Sequence, residues 1–538
     1  VSISTEAAAL LRRAKPPGAQ LKWCIAALSG CIALTVPLLL VQAPPLLDFL
    51  NHLARVAVLA DGGADQTLAR MYAAHWAIIP NLGLDVLLLP LLRMMPALDA
   101  GRIAAGVAML LPVLGTIAYS RATYGRRSYW PLGACLVAYN ATFLMGFLAF
   151  LMGIGLALLL AAAWIGGRDR RPVETALLGA AAMTGLFFCH LMGVVLALVL
   201  IGAFELDAIR QRPARAARRV ALAAPLLIGP GILYLLSPLG AVSTPALRLP
   251  PGDKAFQLLV PFIGYDAVAD LMTAAVVAVC LLGLIVSGRC RIRAHAAVAV
   301  GFLLILYAAS PFIAKGTCFL DTRFAIMLGF MLFAAVMPVG VGRRAASAIA
   351  LAFVAVFALR MATVGSAWIG YRHDLDAMRA VIVPVQPGER VFLVSVTPEE
   401  APAYWRDAPA WRRLWTGVAL DYHLAALVLL ERHAFWPFLF ADPAQQPIVT
   451  LEPYRTLAEA APSVLPHRQM DAAATSRLGG YDYLLLLNAG GEPDLPGYGA
   501  GCLRLMRAND VAALYRVNQD DEACAGGRDV AVSEAAHP

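Results

Sequence analysis

Apolar runs of membrane-spanning length recur along this chain, and short arginine clusters separate them. That alternation limits the fold more than any motif does. The first run, residues 21–43, is about 23 residues long, enough to cross roughly 30 Å of hydrocarbon. It reads as a retained helix, since no small-residue cleavage site follows it. Further runs lie at 98–120, 130–146, 148–166, 174–190, 191–207, 219–238, 266–287, 293–313, 324–341 and 345–366. Basic clusters fall between them: Arg12, Arg13 and Lys15; Arg121, Arg126 and Arg127; Arg168, Arg170 and Arg171; Arg210 to Arg219; Arg289, Arg291 and Arg293; Arg343 and Arg344. With a cytoplasmic N-terminus all six clusters lie inside, as the positive-inside rule requires. This holds only if NLGLDVLLLPLLRMM (81–95), broken by Asp85, Pro90 and Arg93, lies in the interface without crossing. The expectation is a multi-span α-helical membrane protein with eleven transmembrane helices.

Composition agrees: 14% of residues are charged, against about 25% in soluble domains. The net charge of +8 comes from the loops, so it does not point to nucleic acid. The nine cysteines contain no CxxC pair, which argues against a zinc or redox motif.

The expected organisation is a cytoplasmic N-terminal segment (1–20), a transmembrane module (21–369) with a long first external loop (44–97), and an extracytoplasmic α/β domain (370–538). Two further external loops cover 239–265 and 314–323. In the last domain, strand-like runs at 390–396, 447–451, 483–487, 503–507 and 512–517 alternate with a helical run over 422–440. Cys502 and Cys524 there form a disulfide or stay as two thiols.

PPLLDFLNHLAR follows the first span. Asp48, Asn51, His52 and Arg55 are spaced i, i+3, i+4 and i+7, so a helix puts them on one face. Phe49, Leu50, Leu53, Val56 and Leu59 fill the other. Two readings fit: an amphipathic connector with its charges in water, or an interfacial helix whose carboxylate serves as a base in a cavity. His75 lies in the same loop. His190, Asn140 beside Tyr139, Lys254, Tyr265, Asp266, Asp270, Lys315, Asp321 and Arg323 all fall on the same external side. Polar groups drawn from many helices to one membrane face suggest a cavity opening there. A carboxylate can take a proton from a hydroxyl, and Arg and Lys can hold a phosphate leaving group. In the last domain Trp405, Trp411, Trp415 and Trp436 are either core or sugar-stacking residues. No Gly-rich phosphate loop with a following Lys is present, so nucleotide-driven chemistry has no support.

In Asp48 directly after the first helix, in the two candidate helices of the first external loop, in span count and in the tail from about 370, the chain resembles a GT-C superfamily glycosyltransferase of the bacterial type. The resemblance implies an enzyme of the bacterial inner membrane with a periplasmic C-terminal domain. It would move a sugar with inversion from a polyprenyl-phosphate donor to a glycan, lipid or protein acceptor. Asp48 would be the general base and His52 would orient it. Asn51, Arg55, His75, Asn140, His190, Lys254, Tyr265, Asp266, Lys315, Asp321 and Arg323 would contact substrate. DFLNHLAR carries one acid where many members carry two, so no second catalytic acid transfers. No metal ligand is assigned, although a divalent metal has room in this chemistry. A lipid or solute transporter and a non-catalytic assembly protein are the alternatives.

Overall fold

The computed structural model describes residues 17–395, 406–461, 478–487 and 502–518. Arg12, Arg13, Lys15 and Trp405 lie outside them. Among the described residues eight helices are long and apolar enough to cross a membrane. They are α1 (Pro17–Leu40), α5 (Ala97–Tyr124), α7 (Leu148–Gly167), α8 (Pro172–Cys189), α9 (Leu191–Gln211), α10 (Pro213–Leu236), α11 (Ala267–Val286) and α14 (Arg343–Ile382). Between α1 and α5 the chain forms α2 (Phe49–Asp61), α3 (Gln66–Met71), strand β1 (Tyr72–Ala74) and α4 (Gly83–Leu92). Shorter elements complete the module: α6 (Ala141–Leu144), β2 (Cys290–Ile292), α12 (Ala294–Ala309), α13 (Leu320–Ala334) and β3 (Val336–Pro338).

The sequence predicts eleven; 128–147, α12 and α13, three of the expected spans, are not among the eight. Residues 128–147 run alongside the length of α1 without being one helix. Ser128 accepts a hydrogen bond from Trp23 Nε1 at the start of α1 (2.7 Å), and Leu144 O accepts from Leu47 N just beyond its other end (2.9 Å). In between lie a 3-10 stretch, Trp130–Val137, and the short α6. Both are buried in protein, the one setting in which irregular backbone is tolerated at membrane depth. The close approach of α5 and α7 depends on glycine. A Cβ on Gly155 would lie 2.4 Å from the Leu111 carbonyl carbon, so the helices touch backbone to backbone.

The two ends of the bundle differ in charge. At one end Tyr124 OH donates to Arg291 O (3.1 Å), β2 pairs with β3, and Arg127 covers the Trp23 ring. Arg168 and Arg219 share Glu205 at the same end. The other end carries α2 to α4 and the C-terminal domain. The segment 81–95 does not cross. Leu82 N donates to Phe188 O (2.7 Å) and Arg102 donates to Val41 O (3.2 Å), so α4 begins and ends at the same end.

Helix α14 has 40 residues, about 60 Å at 1.5 Å per residue. It runs on from the bundle into the C-terminal domain, through residue 370, without a break. That domain holds β4 (Val391–Ser395), α15 (Leu427–Arg432), β5 (Ile448–Thr450), β6 (Tyr483–Leu487), β7 (Leu503–Ala508) and β8 (Ala512–Val517). Four strands form a sheet in the order β4-β6-β8-β7, parallel between β4 and β6 and antiparallel elsewhere. The fifth, β5, pairs antiparallel with β1 of the first loop. The helix expected over 422–440 stops at Arg432. His433 takes a left-handed conformation (φ 52°) with its Nδ1 2.5 Å from Asp65, and residues beyond it run back over α2. Cys502 is disulfide-bonded, and Cys524 lies outside the described residues.

Candidate active site

Helix α2 is buried on both sides. Its apolar residues pack into the bundle, with Phe49, Leu50 and Leu53 at most 3% exposed. Its polar side faces the C-terminal domain instead of water. Asn51 Nδ2 donates to Phe438 O (2.8 Å) and Asn51 Oδ1 accepts from Phe440 N (2.9 Å). One carboxamide thereby satisfies a carbonyl and an N–H of the turn at 437–440, as the two groups of an amide allow. Arg55 donates to both oxygens of Asp85 on α4 (2.7 and 2.8 Å), and the two side chains are 1% and 0% exposed. Asn51 and Arg55 thus clip the loop together.

Asp48 stands at the start of α2 and makes no side-chain capping bond. Its backbone N–H donates to Met145 O (3.2 Å). Gly146, at φ 86°, lies so close that a Cβ there would come within 2.9 Å of Asp48 Cβ. Only glycine combines that φ with that approach. The Asp48 side chain is 13% exposed, and its Oδ1 lies 3.1 Å from His423 Nδ1, within ion-pair range though not aligned as a hydrogen bond. His52, one turn along, packs against Phe440 (5.0 Å between ring centres). Its ring edge reaches the surface, but Nδ1 is buried without a partner. Burial, then the charges of Arg55 and His423, hold the His52 imidazole well below its usual pKa.

Beyond Gly146 the chain turns into Phe147, and the Arg323 guanidinium lies over the rings of Phe147 (5.0 Å) and Phe150 (5.4 Å). Asp48 is close enough to Arg323 for their charges to interact. Arg323 pairs with no carboxylate among the described residues, and its Nε has no partner. Its Nη1 lies 3.0 Å from His190 Nε2. His190 links α8 to α9 and accepts Met192 N–H at Nδ1 (3.1 Å). A cavity of about 220 Å³ opens beside them, lined by Asn81, His190, Tyr234, Lys315, Arg323 and, from the C-terminal domain, Gln445. A larger hollow of about 530 Å³ between α1 and α5 is almost wholly apolar and far poorer in chemistry.

The structure therefore brings His190, Lys315 and Arg323 to one cavity, with Asp48 close by. Other expected residues serve elsewhere. Asn140 caps α6, accepting from Phe143 N (3.0 Å), and Asp266 caps α11, accepting from Ala269 N (2.7 Å). Buried Tyr265 donates to Pro45 O (3.2 Å). Lys254 lies 3.8 Å from the fully buried Asp321. His75 is exposed and bonds through its backbone to Pro447. Trp436 is core, Trp411 packs on Gly370, and Trp415 donates to Asp270 (2.8 Å). The sequence did not single out His423. Its one signal was the aromatic density of 421–440. Among the described residues no three His, Cys, Asp or Glu side chains gather to hold a metal ion.

No protein-family model and no curated protein matches the chain. Among solved structures, it resembles the crystal structure of ArnT from Cupriavidus metallidurans bound to undecaprenyl phosphate. The match covers 93% of this chain and 98% of the other, with a TM-score of 0.52 at 11% identity. A likeness at that identity speaks for the fold alone: a helical membrane module with a C-terminal sheet domain.

Proposed function

We propose that the chain is a membrane glycosyltransferase that uses a polyprenyl-phosphate-linked sugar, with Asp48 as base and the Arg323 cavity as the phosphate site. The carrying observation is the unpaired Arg323 guanidinium beside His190. With Nδ1 accepting from Met192, the His190 proton sits on Nε2, so two donors face each other at 3.0 Å. The other tautomer accepts from Arg323 but turns its Nδ1–H against Met192 N–H. An anion at Arg323 relieves this conflict by accepting from both groups, and Lys315 adds charge at the rim. The fold is that of a protein crystallised with undecaprenyl phosphate.

In this reading Asp48 takes the proton of an acceptor hydroxyl as its oxygen attacks the anomeric carbon. The bond from that carbon to the phosphate oxygen breaks, and polyprenyl phosphate leaves with the electron pair, held by Arg323 and Lys315. Attack from the face opposite the leaving group inverts the anomeric centre. The acceptor is a glycan, lipid or protein hydroxyl. The basic end faces the cytoplasm of a bacterial cell, and the C-terminal domain lies in the periplasm. Mass spectrometry of surface glycans and glycolipids from a deletion strain tests the reading. A missing sugar, restored by the native gene, supports it, and an unchanged profile overturns it.

Arg323→Ala is expected to weaken binding of undecaprenyl phosphate by about 10–100-fold, the worth of a charge-assisted hydrogen bond. Native mass spectrometry of the protein in detergent micelles measures this. His52 gives a pH prediction. Its folded pKa lies below the unfolded value, so the unfolded chain takes up the proton first as pH falls through about 6.5. Stability is thus complete above that pH and declines below it. The melting midpoint is expected to fall between pH 7 and pH 5, and less steeply in His52→Gln.

A further inference from the structure

We propose that His423, supplied by the C-terminal domain, is a positioning residue for the Asp48 carboxylate. The active site is then complete only when that domain is docked. This rests on the reading of Asp48 as the base. Most residues at a helix start spend their side-chain oxygen on the first free N–H groups, and that bond fixes the rotamer. Asp48 does not do so. Nothing within its own helix holds the carboxylate, and its ion-pair partner among the described residues is His423, 3.1 Å away.

His423 itself is held firmly. It sits in the turn Tyr422–Ala426, 8% exposed, with Trp436 (5.7 Å, 82°) and Phe440 (5.2 Å, 87°) edge-on to its ring and Tyr422 tilted against it (5.2 Å). The turn carrying Phe440 is fastened by two hydrogen bonds to Asn51, one turn along α2 from Asp48. Helix α2 therefore carries both the base and the clip that holds its partner. The imidazole stands against Oδ1 at 3.1 Å, which leaves Oδ2 for the acceptor. In the transfer the acceptor proton moves to Asp48 and stays there, and His423 neither gives nor takes a proton. Its part is orientation, where a displacement of about 1 Å can cost 10²-fold in rate.

The test uses the full-length chain in the deletion strain and purified in micelles, as His423→Ala, His423→Asn and Asp48→Asn. Three quantities are read: product glycolipid by mass spectrometry, undecaprenyl phosphate binding by native mass spectrometry, and the melting midpoint. His423→Ala is expected to lower product by about 10–100-fold while binding of undecaprenyl phosphate stays within about twofold, since Arg323 is untouched. His423→Asn, whose amide can occupy the place of Nδ1 against Oδ1, is expected to regain a large part of the loss. Native product from His423→Ala overturns the proposal, as does a well-folded His423→Asn with no more product than Asp48→Asn. If His423→Ala does not fold, His423→Asn decides by the same criterion. Native product from Asp48→Asn overturns the base assignment instead, so the two failures are distinct.

Discussion

Replacing Asp48 by Asn is expected to lower sugar transfer by about 10²–10⁴-fold, the usual contribution of a general base, with folding and insertion unchanged. The substitution preserves shape and removes the ability to take a proton. Its structural cost is small for reasons visible at the site. Asp48 does not cap α2 with its side chain, so the helix start loses nothing. The backbone bond to Met145 does not depend on the side chain. The Asn oxygen can still face His423. Product glycolipid, read beside a melting curve and a size-exclusion profile, separates lost chemistry from lost fold. Transfer near the native level would remove Asp48 from the mechanism.

The second large effect is on stability. Asp85→Ala leaves Arg55 as an unpaired buried cation, a loss of about 3–5 kcal/mol. Both side chains are essentially inaccessible, and Arg55 Nε and Nη1 already lack partners, so Asp85 is its sole acceptor among the described residues. The expected result is a sharply lowered melting midpoint and poor recovery in detergent. Removing the charge on both sides, as Arg55→Met with Asp85→Leu, is expected to recover most of the loss, because apolar residues of similar volume replace a buried pair at little net cost. A double variant no better than the single one would show that the pair does more than neutralise itself.

The membrane module was legible because its signals are local. Span length, loop charge and the break at Pro90 set the passages one at a time, and eight long apolar helices stand among the described residues. The irregular backbone over 128–147 was not legible, since an apolar run says nothing about whether its neighbours will satisfy a non-helical chain. In the site, His190, Lys315 and Arg323 could be grouped because topology sends them to one end. Asn51 and Arg55 show the limit of that reasoning. Helical spacing gives the face on which a residue lies, whereas what covers that face is set by a segment far along the chain. His423 had only the aromatic density of 421–440 to mark it: DYHL looks like any turn until Asp48 is placed against it.

The clip between Asn51 and Phe438 joins residues 387 positions apart, and this has a consequence for biosynthesis. The chain is made from its N-terminus at about 5–20 residues per second. For roughly 20–80 seconds, then, the first loop exists without its cover, with β1 lacking the strand that closes its edge and the Asn51 amide without its acceptor and donor. Throughout that interval Asp48 has no His423. On the proposed roles of Asp48 and His423 the nascent protein does not yet transfer sugar, and a chain cut short before residue 423 is expected to be inserted but inert.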